Sequence, residues 1–157
     1  LDPLPATPLQ DSKEHIDLTV ELEDVRVGVD VKGPRRIARQ DSQFSYWYTW
    51  LELRNRNGLR GSLFGEAMFI VIASPRGWLW LKREDLAAEC TLRYIEHTGK
   101  KDIHKAWASK QRGQSVIILT PYTYLYKHAV MRWEDGELNS KYYATYKQET
   151  NACPVDT

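Results

Sequence analysis

The sequence predicts one α/β (α+β) domain, a central mixed β-sheet of about five strands flanked by helices. Three observations lead there. At 157 residues, with 42% hydrophobic and 27% charged residues, the chain can bury one core and has little room for two. Short runs rich in Val, Tyr and Trp recur along it, bounded by Gly or Pro. One long stretch, "REDLAAECTLRYIEH", carries the best helical pattern. The domain is read over residues 1–157, with 1–12 as an extended arm and 134–157 as a polar tail.

Each element has its own reason. Three prolines in the first eight residues mark the arm. "IDLTVEL" alternates apolar and polar residues, as a half-buried strand does, and "VRVGVDVKG" alternates again with Val25, Val27, Val29 and Val31. Together they read as a hairpin, although the turn between them lacks Asn-Gly or Asp-Gly. Gly33-Pro34 stops the second strand, and "PRRIARQDSQ" is a basic loop. "FSYWYTWLELRN" is strongly β-prone. Trp47 and Trp50 differ in strand parity, so at least one is expected in the core. "RNGLRGSLFGE", with three glycines, is a connection, and "AMFIVIAS" reads as a strand covered on both faces.

Pro75-Arg76-Gly77 makes a tight turn into the strand "WLWLK". The helix that follows places Leu86, Cys90 and Ile95 near one face and ends at Thr98-Gly99. "KKDIHKAWASKQRGQ" is basic, part helix and part loop; "SVIILT" is a short buried strand; "YTYLYKHAVMRW" is read as helix.

Composition narrows the function classes. No apolar run approaches the roughly 20 residues that span a bilayer, so no membrane is expected. The amino end "LDPLPATPLQ" lacks the basic start and apolar stretch of a signal peptide. Cys90 and Cys153 are read as free thiols, and the four histidines show no zinc-type spacing. Net charge is only +1, but its distribution is uneven. Residues 1–25 carry seven acids and one base, whereas residues 26–60 carry eight bases and three acids. A basic face beside a small acidic pocket suits a polyanion held over a cation.

The acidic pocket has specific candidates. In a hairpin, Asp17 near the start of one strand and Asp30 near the end of its partner come side by side. Asp30 and Lys32 then share a face, because side chains alternate along a strand. Two carboxylates and an ammonium suit Mg²⁺-dependent phosphodiester hydrolysis. Mg²⁺ prefers oxygen ligands and keeps waters, one of which becomes a nucleophile. Lys32 can stabilise charge building on the phosphorane. Glu52, in the next strand, is a third candidate ligand if that strand neighbours Asp30.

This arrangement resembles the PD-(D/E)XK nuclease superfamily. There, an acid ends one strand, and an acid, any residue and a Lys lie in the next. Ile16-Asp17 stands for Pro-Asp and Asp30-Val31-Lys32 for (D/E)XK. Residues 29–86 also look like phage-type members, with VDVK, a basic loop, an aromatic strand with W(I/V)EL, a G-W-L-Y-G-x-A-D motif, an apolar strand and a short helix. Here that motif is Gly61-Ser62-Leu63-Phe64-Gly65-Glu66-Ala67-Met68, departing at Ser62 for Trp and at Met68 for Asp. Many members take a further carboxylate from a helix before the first acid. The proline-rich arm is not such a helix: that carboxylate would come from a segment upstream of Leu1, or the site would do without it, with Glu14 or Asp11 as weak substitutes.

The resemblance implies a restriction-endonuclease-like core and a Mg²⁺-dependent DNA endonuclease, a junction resolvase or repair nuclease, in which Mn²⁺ can substitute. Asp17, Asp30 and Glu52 would bind metal, with Lys32 as the fourth catalytic residue. Arg35, Arg36 and Arg39, directly after the motif, and Arg56 and Arg60, in the glycine-rich loop, would hold the DNA backbone. A cytoplasmic location is expected, in the host if phage-encoded. A homodimer would serve two-strand cutting. The alternative is a catalytically inactive DNA-binding or assembly protein that kept the fold.

Overall fold

Alternating valines build the first half of the molecule. A computed structural model of the chain describes residues 3–34, 47–97, 109–112, 115–134 and 137–139. Strands β2 (Leu18–Leu22) and β3 (Val25–Lys32) form an antiparallel hairpin whose register runs from Leu18 opposite Val29 to Leu22 opposite Val25. Glu23 and Asp24 make a two-residue turn with φ of 49° and 67°. That left-handed pair matches the twist of the strands, which is why such turns favour Asn-Gly. With neither residue present, the turn holds strain. Asp24→Gly is expected to raise stability by ~0.5–1 kcal/mol. Urea unfolding checks this: the midpoint should rise at unchanged slope, and a lower midpoint would contradict it.

The hairpin enters a larger mixed sheet. β5 (Phe69–Ser74) pairs parallel to β3, with Asp30 opposite Ile70 and Lys32 opposite Ile72. β6 (Gly77–Lys82) returns antiparallel after Pro75-Arg76. β9 (Met131–Glu134) and β10 (Glu137–Asn139) extend that side, and β1 (Leu4–Pro5) pairs with β2 on the other. The order is β1-β2-β3-β5-β6-β9-β10. The first five residues of β5 are buried, as its unbroken apolar run implies.

The aromatic strand β4 (Tyr48–Arg54) does not join this sheet. It pairs with β8 (Ser115–Pro121), which pairs with β7 (Ser109–Arg112), in a second sheet ordered β4-β8-β7. Leu51 and Leu53 from β4 and Val116 and Ile118 from β8 pack against Ile70, Ile72, Leu79 and Leu81 of the large sheet. Helices α1 (Arg83–His97) and α2 (Tyr122–His128) join the same core through Leu86, Cys90, Tyr122 and Leu125. The expected α+β class with a central mixed sheet and a few helices is present, but that sheet has seven strands rather than about five, and β4, β8 and β7 form a second sheet, with both helices contributing to the core between the two. The opposite face of the large sheet buries Val20, Val29, Phe69 and Trp80, and carries an apolar hollow of about 370 Å³. No helix among the described residues is long and apolar enough to cross a membrane.

Smaller corrections follow from packing. The buried face of α1 is Leu86, Ala87 and Cys90, with Tyr94 packed against it, while Ile95 is 68% exposed. The sequence "YTYLYKHAVMRW" is helix only to His128, then turns into β9. On β4 the buried residues are Thr49, Leu51 and Leu53; Trp50 is half-buried and Trp47 exposed, so neither Trp is core. The arm is extended at β1 but coils into a short π-helical turn at Gln10–Glu14. The basic stretch and the tail lie largely outside the described residues.

Two glycines of the connection before β5 are required by space. A Cβ on Gly61 would sit 2.1 Å from the Glu52 carbonyl oxygen, and one on Gly65 would sit 2.5 Å from that of Glu14. Backbone on both sides cannot yield cheaply. Gly61→Ala is expected to destabilise the protein by about 1–3 kcal/mol, read from its thermal midpoint. An unchanged midpoint would contradict this close approach.

Candidate metal centre

The hairpin register brings three of the four catalytic candidates together. Leu18 lies opposite Val29, so Asp17, one residue earlier, reaches the level of Asp30. The Asp17 amide donates to the Val29 carbonyl at 2.9 Å, and its Oδ2 accepts from the Val31 amide at 2.6 Å. This carboxylate thus extends the ladder one step past the end of β2.

Asp30 projects from β3 onto the face that carries Ile70 and Ile72 on β5. That face meets the core, and Asp30 is only 1% exposed. Lys32, two residues on, shares the face, and its Nζ lies 2.5 Å from Asp30 Oδ1. Asp30 Oδ2 is buried and has no hydrogen-bond partner. Burial pushes the Asp30 carboxyl above its ordinary range; the Lys32 ammonium opposes that shift, and the Asp17 carboxylate adds to it. An acid of one strand therefore acts on the acid of its neighbour.

An unpartnered buried carboxylate oxygen calls for an occupant. An open carboxylate oxygen beside a second carboxylate is the kind of donor set that suits a divalent cation that keeps several waters, as Mg²⁺ does. No group of three His, Cys, Asp or Glu residues capable of holding a metal occurs among the described residues. The acids brought together are the pair Asp17 and Asp30, with Lys32 as the neighbouring cation.

Glu52 does not join it. β4 hydrogen-bonds to β8, not β3, and Glu52 pairs with Ile117 on the half-buried outward side of that sheet. The expectation that its strand would neighbour Asp30 is corrected. Asp11 and Glu14 lie in the turn before Asp17, and the Glu14 carbonyl accepts from the Glu66 amide at 2.7 Å. Neither forms a three-acid group with Asp17 and Asp30. Within the glycine motif, Ser62 is buried and Met68 is 46% exposed.

Arg35, Arg36 and Arg39 lie outside the described residues. Arg56 and Arg60 are exposed in the turn that follows β4, on the second sheet. Arg54 was not among the expected binding residues, yet it bridges directly to Arg60. The turn between them is closed by Asn55, whose Oδ1 accepts from the amides of Asn57 and Leu59, and this sets the two arginines side by side. Comparison of the chain with protein-family models, curated proteins and solved structures finds no match.

Proposed function

We propose that the protein is a Mg²⁺-dependent endodeoxyribonuclease with a restriction-endonuclease-like core centred on β2, β3 and β5. The supporting observation is the convergence of Asp17, Asp30 and Lys32 on one strand end, with Asp30 Oδ2 buried and unpartnered. Asp30 and Asp17 would hold the cation. Bound there, Mg²⁺ supplies a water of lowered pKa and neutralises charge on the phosphate. Lys32 would donate to a phosphoryl oxygen while the water oxygen bonds to phosphorus and the bond to the leaving oxygen breaks, the water's proton passing to solvent and the leaving oxygen taking a proton from solvent. Buried aliphatic neighbours on β5 keep bulk water from Asp30 and strengthen these interactions. Arg35, Arg36 and Arg39, which follow Lys32 closely in sequence, would hold the backbone, and a homodimer would allow both strands to be cut.

A second reading has its own support. Asp30 already pairs with Lys32 and Asp17 already anchors the Val31 amide, so the same three residues can serve as a structural clasp in an inactive DNA-binding or assembly protein. Plasmid nicking separates the two. The nuclease reading expects Mg²⁺- or Mn²⁺-dependent nicking by the wild type that Lys32→Ala loses. Equal nicking by both proteins, or by neither, contradicts it.

A further inference from the structure

Asp17 is exposed and stands before β2 begins at Leu18, yet the metal centre needs its carboxylate in one place. The chain on either side must hold it there. After Asp17 the hold is the register of β2 on β3. Before it, several backbone bonds converge on residues 14–17. The Glu66 amide donates to the Glu14 carbonyl at 2.7 Å, the Ile16 amide to the Gln10 carbonyl at 3.1 Å, and the Ala6 amide to the Asp17 carbonyl at 3.0 Å. These bonds set the path of the chain, and packing must set how firmly that path is pressed on β3.

Ile16 supplies that packing. Among residues 3–17 it is the only buried side chain, at 7% exposure. His15 before it takes a left-handed backbone, φ 54°, and the Ile16 side chain then lies over Gly28 of β3. A Cβ on Gly28 would sit 2.8 Å from Ile16 Cδ1, 3.1 Å from its Cγ1 and 3.3 Å from its Cγ2. Carbon atoms in contact prefer about 3.5–4.0 Å, so the space that Ile16 fills exists because residue 28 has no side chain. A glycine inside a strand weakens it, and close approach of a neighbour is a reason to keep one there. Strand alternation places Gly28 on the face that carries Asp30 and Lys32. Ile16 is therefore seated two residues along β3 from Asp30, and the next residue of its own chain is Asp17.

We infer that Ile16 is a positioning residue for the metal centre and that Gly28 is the socket that seats it. Ile16 acts through Asp17, holding it where Oδ2 accepts from the Val31 amide at 2.6 Å. The inference rests on the metal reading above for the cation, while the seat and its effect on Asp17 are readable without one.

Two readouts test it. In nitrogen–proton correlation spectra of the metal-free protein, the bond to a carboxylate draws the Val31 amide proton downfield, and Asp17→Asn marks its position without that charge. Calorimetry with Mn²⁺ gives the affinity. Gly28→Ala fills the socket and Ile16→Ala removes what it seats. Each should move the Val31 amide toward its Asp17→Asn position and weaken Mn²⁺ binding about tenfold. Ile16→Val removes Cδ1, the atom nearest the added methyl, so Gly28→Ala/Ile16→Val should recover most of both readouts. Ile16→Val alone should stay close to wild type. A role in stability alone would lower the melting temperature of Gly28→Ala or Ile16→Ala and leave the amide and the affinity at wild-type values. That result would overturn the inference, as would a double variant no better than Gly28→Ala. If Ile16→Ala does not fold, Gly28→Ala and the double variant carry the test. If wild type binds no Mn²⁺, the metal reading fails, and the Val31 amide still decides whether Ile16 places Asp17.

Discussion

Asp30→Asn is expected to lower Mg²⁺-dependent nicking by about a thousandfold, the loss of roughly 4 kcal/mol of transition-state stabilisation. Asn keeps the shape of the side chain but offers the cation no charge. The same substitution has an opposite effect on stability. In the metal-free protein the Asp30 carboxyl is held above its ordinary value of 3.8, so the folded chain binds that proton more tightly than the unfolded chain. This contribution is complete below the ordinary value and is lost as pH rises through the raised one. Asn has no such titration. Its variant should match or exceed wild-type stability at neutral pH, and its melting temperature should fall less between acid and neutral pH. Lys32 keeps 18% side-chain exposure, so its ammonium retains water once the partner charge is gone. Full nicking by Asp30→Asn, or a steeper pH dependence of melting, would contradict the role given to this residue.

Lys32→Met should have the largest effect on folding. It leaves Asp30, whose side chain is 2% exposed, without its counter-charge. Removing one member of a buried pair costs about 3 kcal/mol at neutral pH. The cost should shrink in acid, where Asp30 takes a proton and no longer needs the ammonium. Urea unfolding at neutral and acid pH reads both values. A loss under about 1 kcal/mol at both would make Lys32 an ordinary surface lysine. Nicking should vanish in this variant while Mn²⁺ binding persists, because the ammonium no longer competes for Asp30 Oδ1. Lost binding together with lost nicking would place Lys32 in a structural role instead.

The part of the site written in local sequence was legible. Period-two valines fix which face each residue of β3 takes, and a hairpin reverses the chain; together they place Asp17 beside Asp30 and put Lys32 on the same face. Parity fails after Glu52, where a β-bulge sets Arg54 opposite Val116. What parity cannot supply is the partner of a strand. β4 pairs with β8, some seventy residues downstream, and no local pattern in "YTWLELR" distinguishes that pairing from one beside β3. Glu52 was misplaced for that reason, and so was the count of sheets. The tryptophans failed differently. Opposite parity suggests that one of the two is buried, but Thr49, Leu51 and Leu53 fill the inward side of β4 and Trp47 lies before the strand begins. In α1, Ile95 lost its expected place because Ala87 and Tyr94 continue the stripe set by Leu86 and Cys90. The buried, unpartnered oxygen of Asp30 had no sequence signal, because it depends on β5 packing alongside.

Calorimetric titration of the metal-free protein with Mn²⁺ reaches the central claim most directly. One site is expected in wild type, abolished by Asp30→Asn and weakened by Asp17→Asn, with the melting temperature of wild type alone rising as the site fills. A wild-type protein that binds no Mn²⁺, or an Asp30→Asn protein that binds it with unchanged affinity, would contradict a divalent cation shared by these two strands.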